Sequence, residues 1–189
     1  KLNTYVNQNL SQQEGQVLTR YSKDLLQRTA SFLLLQDSQA SFAIEGENAR
    51  NNRAARWGRA IGQAGTQKLS RAELLRLQQL VIGDQRFVEM GFRKHGGFVG
   101  EHDRTTGTPL PDHISAKPQD LEQLINGLIE TSEKLEETDI EAVVAAATAA
   151  FGFVFIHPFQ DGNGRIHRYL FHHLLARKRF IQQGVIFPV

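Results

Sequence analysis

The chain has 189 residues, a length that suits one domain with a sizeable core, or one domain plus an arm. It contains no cysteine, which excludes disulfides, thiolate catalysis and cysteine-based metal sites. A formal net charge of +2 is too small to argue by itself for a nucleic-acid partner.

Residues 1–69 are predicted to form an N-terminal helical region. A polar start is followed by apolar residues at helical spacing, which predict a helix over about 12–28. The apolar run at 32–35 is expected to lie in the core. Later in the region, arginines recur every third residue and are separated by small or polar side chains, which indicates a basic arm with a solvated face rather than a nucleic-acid patch. These arginines are Arg50, Arg53, Arg56 and Arg59.

Between these segments, a short helix is predicted over about 38–46. Asp37 or Ser38 can cap its start, and a glycine suits its end. Ser41 and Glu45 lie one turn apart on one face of this helix. Taken alone, this pair is typical of a helix cap and a solvated face.

Residues 70–189 are predicted to form the core of the fold. A capping box at Ser70 opens a helix that reaches about residue 82. A turn-rich hairpin follows over about 97–116, and a helix begins at Pro118. Residues 142–156 are almost wholly apolar and predict a buried helix that is too short to span a membrane.

That helix leads into the most unusual stretch of the chain, residues 157–168, which reads His-Pro-Phe-Gln-Asp-Gly-Asn-Gly-Arg-Ile-His-Arg. Proline disfavours a helical residue before it, so the helix is expected to end at or before His157. The glycines on either side of Asn163 precede an amphipathic pattern and are predicted to lie at a new helix N-terminus, which favours an anion. Arg165 and Arg168 are neighbours on one face of that helix, where a polyphosphate would satisfy both.

This stretch resembles the signature of Fic-domain (Fic/Doc) proteins, His-Pro-Phe-x-Asp-Gly-Asn-Gly-Arg-x-x-Arg, and fills it without a gap. The resemblance implies an all-α fold, a mostly helical bundle with a small β-hairpin flap, that transfers AMP from ATP to a hydroxyl of a target protein. It implies that His157 is the general base and that Asp161 holds Mg²⁺ between the α- and β-phosphates. Phe159 would anchor the loop in the core.

The resemblance also implies how the phosphates are bound. The backbone of Gly162 and Gly164 and the side chain of Asn163 would form an anion hole. Arg165 would bind the β-phosphate and Arg168 the γ-phosphate. The hairpin at 97–116 would be the flap, which pairs with the backbone of the target protein.

Beside a complete signature, the segment from Ser41 to Gly46 resembles the inhibitory motif of regulated Fic proteins, (Ser/Thr)-x-x-x-Glu-(Gly/Asn). The resemblance implies that Glu45 pairs with Arg168 and occludes the γ-phosphate position. Its place ahead of the core matches the class with the inhibitory helix on the N-terminal side.

Three alternatives stay open. The same site could transfer another nucleotide or remove AMP with water, the domain could be a nucleotide-sensing or partner-binding module with little turnover, or the arginine stripe could bind nucleic acid, which would predict a steep salt dependence. A homo-oligomer is a further option for the partners. A metal-hydrolase site built from His157, Asp161 and His167 or His172 matches no common zinc spacing. We expect ATP and a target protein as partners, and neither nucleic acid nor membrane. The chain begins at Lys1 and shows no signal peptide, so we expect a fragment of a longer, cytoplasmic protein.

Overall fold

The computed structural model describes residues 21–44, 46, 51–83, 86 and 88–181. Within them the fold is mostly helical with one small antiparallel sheet, which confirms the predicted class. The elements in chain order are α1 (Lys23–Ile44), α2 (Asn51–Gly62), α3 (Arg71–Val81), β1 (Phe98–His102), β2 (Pro109–Ile114), a 3₁₀ turn (Pro118–Asp120), α4 (Leu121–Glu137), α5 (Ala142–Ile156) and α6 (Asn163–Arg177).

Helix α1 is continuous where the sequence analysis predicts two helices. It runs through Asp37 and Ser38, so the prediction that these residues cap a separate short helix is wrong. No glycine or proline interrupts α1, and the buried Ser38 and Phe42 lie one turn apart on the same face. The helix ends before Gly46, which has a left-handed φ of 72° and suits a helix end, as predicted.

The apolar run at 32–35 is only partly buried. Leu34 packs against the core, but Phe32 is 61% exposed, so the expectation that the whole run lies in the core is wrong. The reason is geometric, because consecutive residues of a helix point in directions about 100° apart.

Helices α1 and α2 approach closely because two glycines face α1. A Cβ atom at Gly58 would lie 3.1 Å from the Ser38 hydroxyl, and one at Gly62 would lie 3.4 Å from a methyl of Leu34. Arg53 leaves the predicted solvated face of α2 and donates from Nε to the Val81 carbonyl at 3.1 Å. Arg56 and Arg59 are exposed as predicted, and Arg50 lies outside the described residues.

The larger of two apolar clusters in the described residues joins α1 and α2 to the rest of the fold. Trp57 is fully buried, and its ring centroid lies 6.2 Å from that of Tyr169 on α6. The Gly65 N–H after α2 donates to Nδ1 of His173 on α6 at 3.2 Å. The division of the chain at residue 69 stays a prediction, and buried side chains from both sides of it meet in this core: Phe42, Trp57, Ile61, Leu69, Leu77, Val81, Phe153, Phe159 and Ile166.

Helix α5 is buried on one face rather than all round, contrary to the prediction. Its alanine-rich face packs against α4 and α6, whereas Phe151 is 62% and Phe155 is 57% exposed. Small side chains let α5 approach its neighbours, and of its three phenylalanines only Phe153 is buried. None of the described helices combines the length and the hydropathy that a bilayer crossing requires.

Two buried histidines on α6 are expected to make the fold acid-sensitive. Burial lowers the pKa of His172 to about 4, and burial is also the main reason that the pKa of His173 falls to about 4. The folded-state pKa therefore lies below the unfolded one, so full stability is present above about pH 6.5 and is lost as the pH falls towards 4. Each imidazole should lower the free energy of unfolding by about 3 kcal/mol at pH 4.

Urea unfolding between pH 4 and 7 measures this effect. Neither ring nitrogen of His172 has a hydrogen-bond partner among the described residues, so His172→Leu should leave the fold stable at pH 7. The free energy of unfolding of this variant should depend less on pH than that of the parent. An unchanged pH dependence in that variant would show that His172 does not contribute.

Candidate active site

His157 is placed by the end of α5. The helix stops at Ile156, and His157 follows as its C-cap with a left-handed backbone (φ 53°, ψ 59°). Pro158 disfavours continuation of the helix, as the sequence predicts. Phe159 is fully buried and stacks on Phe92 with ring centroids 5.2 Å apart, which anchors the loop in the core.

Arg93 fixes the backbone of this loop. Its Nε donates to the His157 carbonyl at 2.7 Å, and its Nη1 and Nη2 donate to the carbonyls of His95 (2.7 Å) and Ala116 (2.8 Å). The backbone N–H of Arg93 also donates to the Pro158 carbonyl at 2.9 Å. The sequence analysis missed Arg93, because no spacing rule joins an arginine to backbone groups of a loop more than sixty residues away.

The imidazole of His157 has the environment of a base. Burial lowers its pKa from the usual value, the positive charge of Arg93 and the nearby His113 lower it further, and the Val154 carbonyl acts in the opposite direction. The neutral form is therefore favoured near pH 7. The Nδ1 atom is buried, which leaves Nε2 as the nitrogen that can face a ligand.

Helix α6 begins at Asn163, as predicted, so its first N–H groups form an anion-attracting end. Gly162 precedes it with a left-handed φ of 95°, and a Cβ there would lie 2.8 Å from a methyl of Val81. Both the conformation and the space therefore call for glycine.

The side chain of Asn163 is used differently from the prediction. It is buried, its Oδ1 accepts from the Phe159 N–H at 3.1 Å, and its Nδ2 donates to the Phe159 carbonyl at 2.8 Å. The side chain closes the loop instead of lining an anion hole. The contribution of Asn163 to anion binding therefore falls to its backbone N–H at the start of α6.

Asn163→Ala is expected to lower the free energy of unfolding by about 2 kcal/mol, because it leaves the buried N–H and carbonyl of Phe159 without partners. Urea unfolding at pH 7 measures the change. The matched control is Asn126→Ala on the exposed face of α4, which should stay within about 0.5 kcal/mol of the parent. Equal effects of the two substitutions would contradict the loop-closing role.

Arg165 lies at the base of the site with its side chain fully buried. Its Nη2 contacts the Asp161 carboxylate at 2.9 Å, and its Nη1 lies 3.4 Å from the Val81 carbonyl. The guanidinium also stacks over the ring of Phe42, 5.0 Å from its centroid. Phe42 was not among the predicted site residues, although it lies next to Ser41 in the sequence.

Arg168, one turn further along α6, points to the end of α1. Its Nη1 donates to the Ser41 hydroxyl at 2.6 Å, and Ser41 is buried. The structure therefore brings Ser41 and Arg168 together across 127 positions of sequence. Glu45 lies outside the described residues, so its predicted pairing with Arg168 stays a prediction.

The described residues contain no cluster of three or more His, Asp or Glu side chains that could hold a metal by themselves. A Mg²⁺ site of the predicted kind needs only one protein carboxylate, because substrate phosphates and water supply the other ligands. Asp161 fits that role, because its side chain is partly exposed and the hydrogen bonds that its carboxylate accepts from Arg165 and from the Gly162 N–H both go to Oδ1.

Known proteins resemble this chain in sequence. A model of the family described as "Fic/DOC family" matches residues 68–175, more than half of the chain. The protein adenylyltransferase Fic of Nematostella vectensis is 34% identical over 77 residues, which is 41% of this chain and 18% of that protein. Its namesake in Drosophila willistoni is 34% identical over 106 residues, which is 56% of this chain and 19% of that protein. The chain thus spans less than a fifth of these relatives.

Solved structures resemble it in fold. Fic-1 from C. elegans aligns with a TM-score of 0.60 at 19% identity, over 99% of this chain and 62% of that one. A Fic family protein from Desulfovibrio desulfuricans G20 aligns with a TM-score of 0.57 at 24% identity, over 90% of this chain and 57% of that one. The family model, the uninterrupted signature at 157–168 and the shared fold agree, and the chain therefore belongs to the Fic/DOC family.

Proposed function

We propose that this chain is a protein adenylyltransferase, which transfers AMP from MgATP to a Ser, Thr or Tyr hydroxyl of a target protein and releases pyrophosphate. The observation that carries the proposal is one loop with His157 at its start and the N-terminus of α6, with Arg165, at its end. A base and a polyphosphate site are thus a few residues apart. The names of the relatives, which are protein adenylyltransferases, favour the same reaction.

In the proposed reaction, the target hydroxyl oxygen attacks the α-phosphorus of ATP. A new P–O bond forms as the bond from the α-phosphorus to the oxygen that bridges to the β-phosphate breaks. Pyrophosphate leaves with that electron pair, and the hydroxyl proton passes to Nε2 of His157. The lowered pKa of His157 favours the neutral imidazole that this proton transfer needs.

The remaining site residues position charge. The N–H groups of Asn163 and Gly164 at the start of α6 would face the phosphates, with Arg165 on the β-phosphate and Arg168 on the γ-phosphate. The Gly162 N–H, which the resemblance also assigns to the anion hole, donates to the Asp161 carboxylate instead. Asp161 would hold Mg²⁺, which when bound neutralises polyphosphate charge. Catalysis would rest largely on positioning and on charge stabilisation in the transition state.

The proposal includes an inhibitory contact at the end of α1, called the brake below, and an exposed strand edge that binds the target protein. The Ser41–Arg168 hydrogen bond of 2.6 Å holds the end of α1 against the group assigned to the γ-phosphate, and Glu45 would strengthen this block by pairing with Arg168. The β1–β2 hairpin would act as the flap, because an exposed edge strand can pair with the backbone of an extended target segment.

Intact-protein mass spectrometry after incubation with MgATP tests the proposal. We would compare the parent chain, Glu45→Gly, and Glu45→Gly combined with His157→Ala. Added AMP that is strong in Glu45→Gly and absent in the double variant is the expected result. The same chain incubated with GTP, CTP and UTP tests another nucleotide, and loss of AMP from a modified chain tests AMP removal. No change in any sample, together with tight ATP binding, would favour a nucleotide-sensing module instead.

A further inference from the structure

We propose that Arg93 is a positioning residue that holds the catalytic loop and the two ends of the flap in one fixed arrangement. The proposal deepens the function proposed above and rests on it. Arg93 does not belong to the signature at 157–168 or to the inhibitory segment. Its guanidinium donates to three backbone carbonyls, those of His157, His95 and Ala116.

The three carbonyls belong to three separate segments of the chain. His95 precedes the predicted flap at 97–116, Ala116 ends it, and His157 begins the catalytic loop. A planar guanidinium presents its donors in a rigid fork, so three fixed acceptors at 2.7–2.8 Å fix the relative positions of the three segments. A lysine ammonium has one nitrogen and cannot bridge all three in this geometry.

The end of α5 is joined to the flap as well, because the last carbonyls of a helix lack partners within the helix. Here they accept hydrogen bonds from flap residues. The Phe155 carbonyl lies 2.7 Å from Nε2 of His113, and the Ile156 carbonyl accepts from the Ala116 N–H at 3.2 Å. Hydrogen bonds thus join α5, which is followed by the proposed base His157, to the hairpin that would hold the target.

The backbone of His157 depends on its surroundings. Its left-handed conformation is uncommon for a residue other than glycine and persists only where the surroundings impose it. The Arg93 guanidinium donates to the His157 carbonyl, and the backbone N–H of Arg93 donates to the Pro158 carbonyl. Without Arg93, the backbone of His157 loses the partner that holds it, and the imidazole changes its position relative to the flap.

The charge of Arg93 adds a second readout. The groups that act on the His157 imidazole are the guanidinium of Arg93 and the His113 ring, which both lower its pKa, and the Val154 carbonyl, which raises it. Removal of the Arg93 charge should therefore raise the pKa of His157. The acid limb of the kcat/KM profile would then move to higher pH.

The experiment compares Arg93→Met and Arg93→Lys with the parent, all in the Glu45→Gly background. Arg59→Met, on the exposed face of α2, is the matched control. We expect kcat for AMP transfer to fall by about 10- to 100-fold in both Arg93 variants, with KM for ATP within about two-fold, because displacement of a catalytic group by about 1 Å can cost that much. Arg59→Met should match the parent.

NMR titration of the His157 ring supplies a readout that does not depend on turnover. The pKa of His157 should rise in Arg93→Met and stay near the parental value in Arg93→Lys, which keeps the charge. Parental kcat in Arg93→Lys would overturn the proposal, because charge alone would then suffice. A His157 titration in Arg93→Met that is identical to that of the parent would also overturn the proposal. If Arg93→Met does not fold, Arg93→Lys still decides through kcat.

The two proposals fail in different ways. If the Glu45→Gly parent transfers no AMP to any substrate, the proposed function fails, and the His157 resonances of the Arg93 variants still test the positioning role. If the parent transfers AMP and both Arg93 variants match it, the proposed function stands and the role of Arg93 falls.

Discussion

Replacing His157 by alanine is expected to lower AMP transfer by at least about 100-fold, the usual contribution of a positioned general base. His157 belongs to the end of α5, whereas the phosphate-binding groups belong to the start of α6. The substitution therefore removes the base and leaves the anion site in place. Affinity for ATP should stay within about two-fold of the parental value, since the lost interaction matters only in the transition state.

Single-turnover transfer of labelled AMP in the Glu45→Gly background measures the rate, and calorimetry measures ATP binding. His172→Leu, which removes another histidine that lies outside the site, should transfer AMP at the parental rate at pH 7. Parental transfer by His157→Ala would show that another group accepts the proton. Equal losses of transfer and of ATP affinity would point to a binding role for His157.

Replacing Glu45 by glycine is expected to have the opposite effect and to raise transfer by roughly 10- to 100-fold. This rise corresponds to the loss of one charge-assisted hydrogen bond, worth about 1.5–3 kcal/mol, through which Glu45 would compete with the γ-phosphate for Arg168. The end of α1 is already held at this arginine, because Ser41 accepts from it at 2.6 Å. Loss of the carboxylate should free Arg168 for the γ-phosphate.

Ser41→Ala gives a graded test of the same contact. It removes a single hydrogen bond of about 1 kcal/mol, so transfer should rise by about five-fold. Ser132→Ala, at a buried serine of α4 away from the site, is the matched control and should have no effect on transfer. Time courses of AMP incorporation at saturating ATP measure both variants. If neither Glu45→Gly nor Ser41→Ala raises transfer, the end of α1 is not a brake.

Sequence patterns predicted the structure correctly where a feature is specified by residues that are neighbours in the sequence. Ser70 caps α3 through its side chain, which accepts from the Glu73 N–H at 3.1 Å, as the capping box predicts. Gly162 precedes α6, and the hairpin falls within the predicted range 97–116. Each of these features is specified by a few neighbouring residues whose backbone preferences agree with the fold.

Sequence patterns gave a wrong prediction, or none, where a residue contacts a partner that is distant in the sequence. The continuity of α1 depends on packing against α2, which outweighs the capping preference of Asp37 and Ser38. The side chain of Asn163 could satisfy either an anion or the Phe159 backbone, and only the folded loop decides between them. Arg93 has no motif at all, because its partners are backbone carbonyls that any sequence supplies.

The core that α1 and α2 share with the other helices limits how the proposed brake could be released. Undocking both helices as a unit would bring fully buried Trp57 and Phe42 into water, at a cost of about 2–3 kcal/mol for each side chain. Fraying of the last turn of α1, which contains Ser41 and Phe42, would expose Phe42 but leaves Trp57 and α2 in place and therefore costs less. A signal that activates this protein therefore needs to act on one helical turn, and a binding energy of a few kcal/mol would be enough.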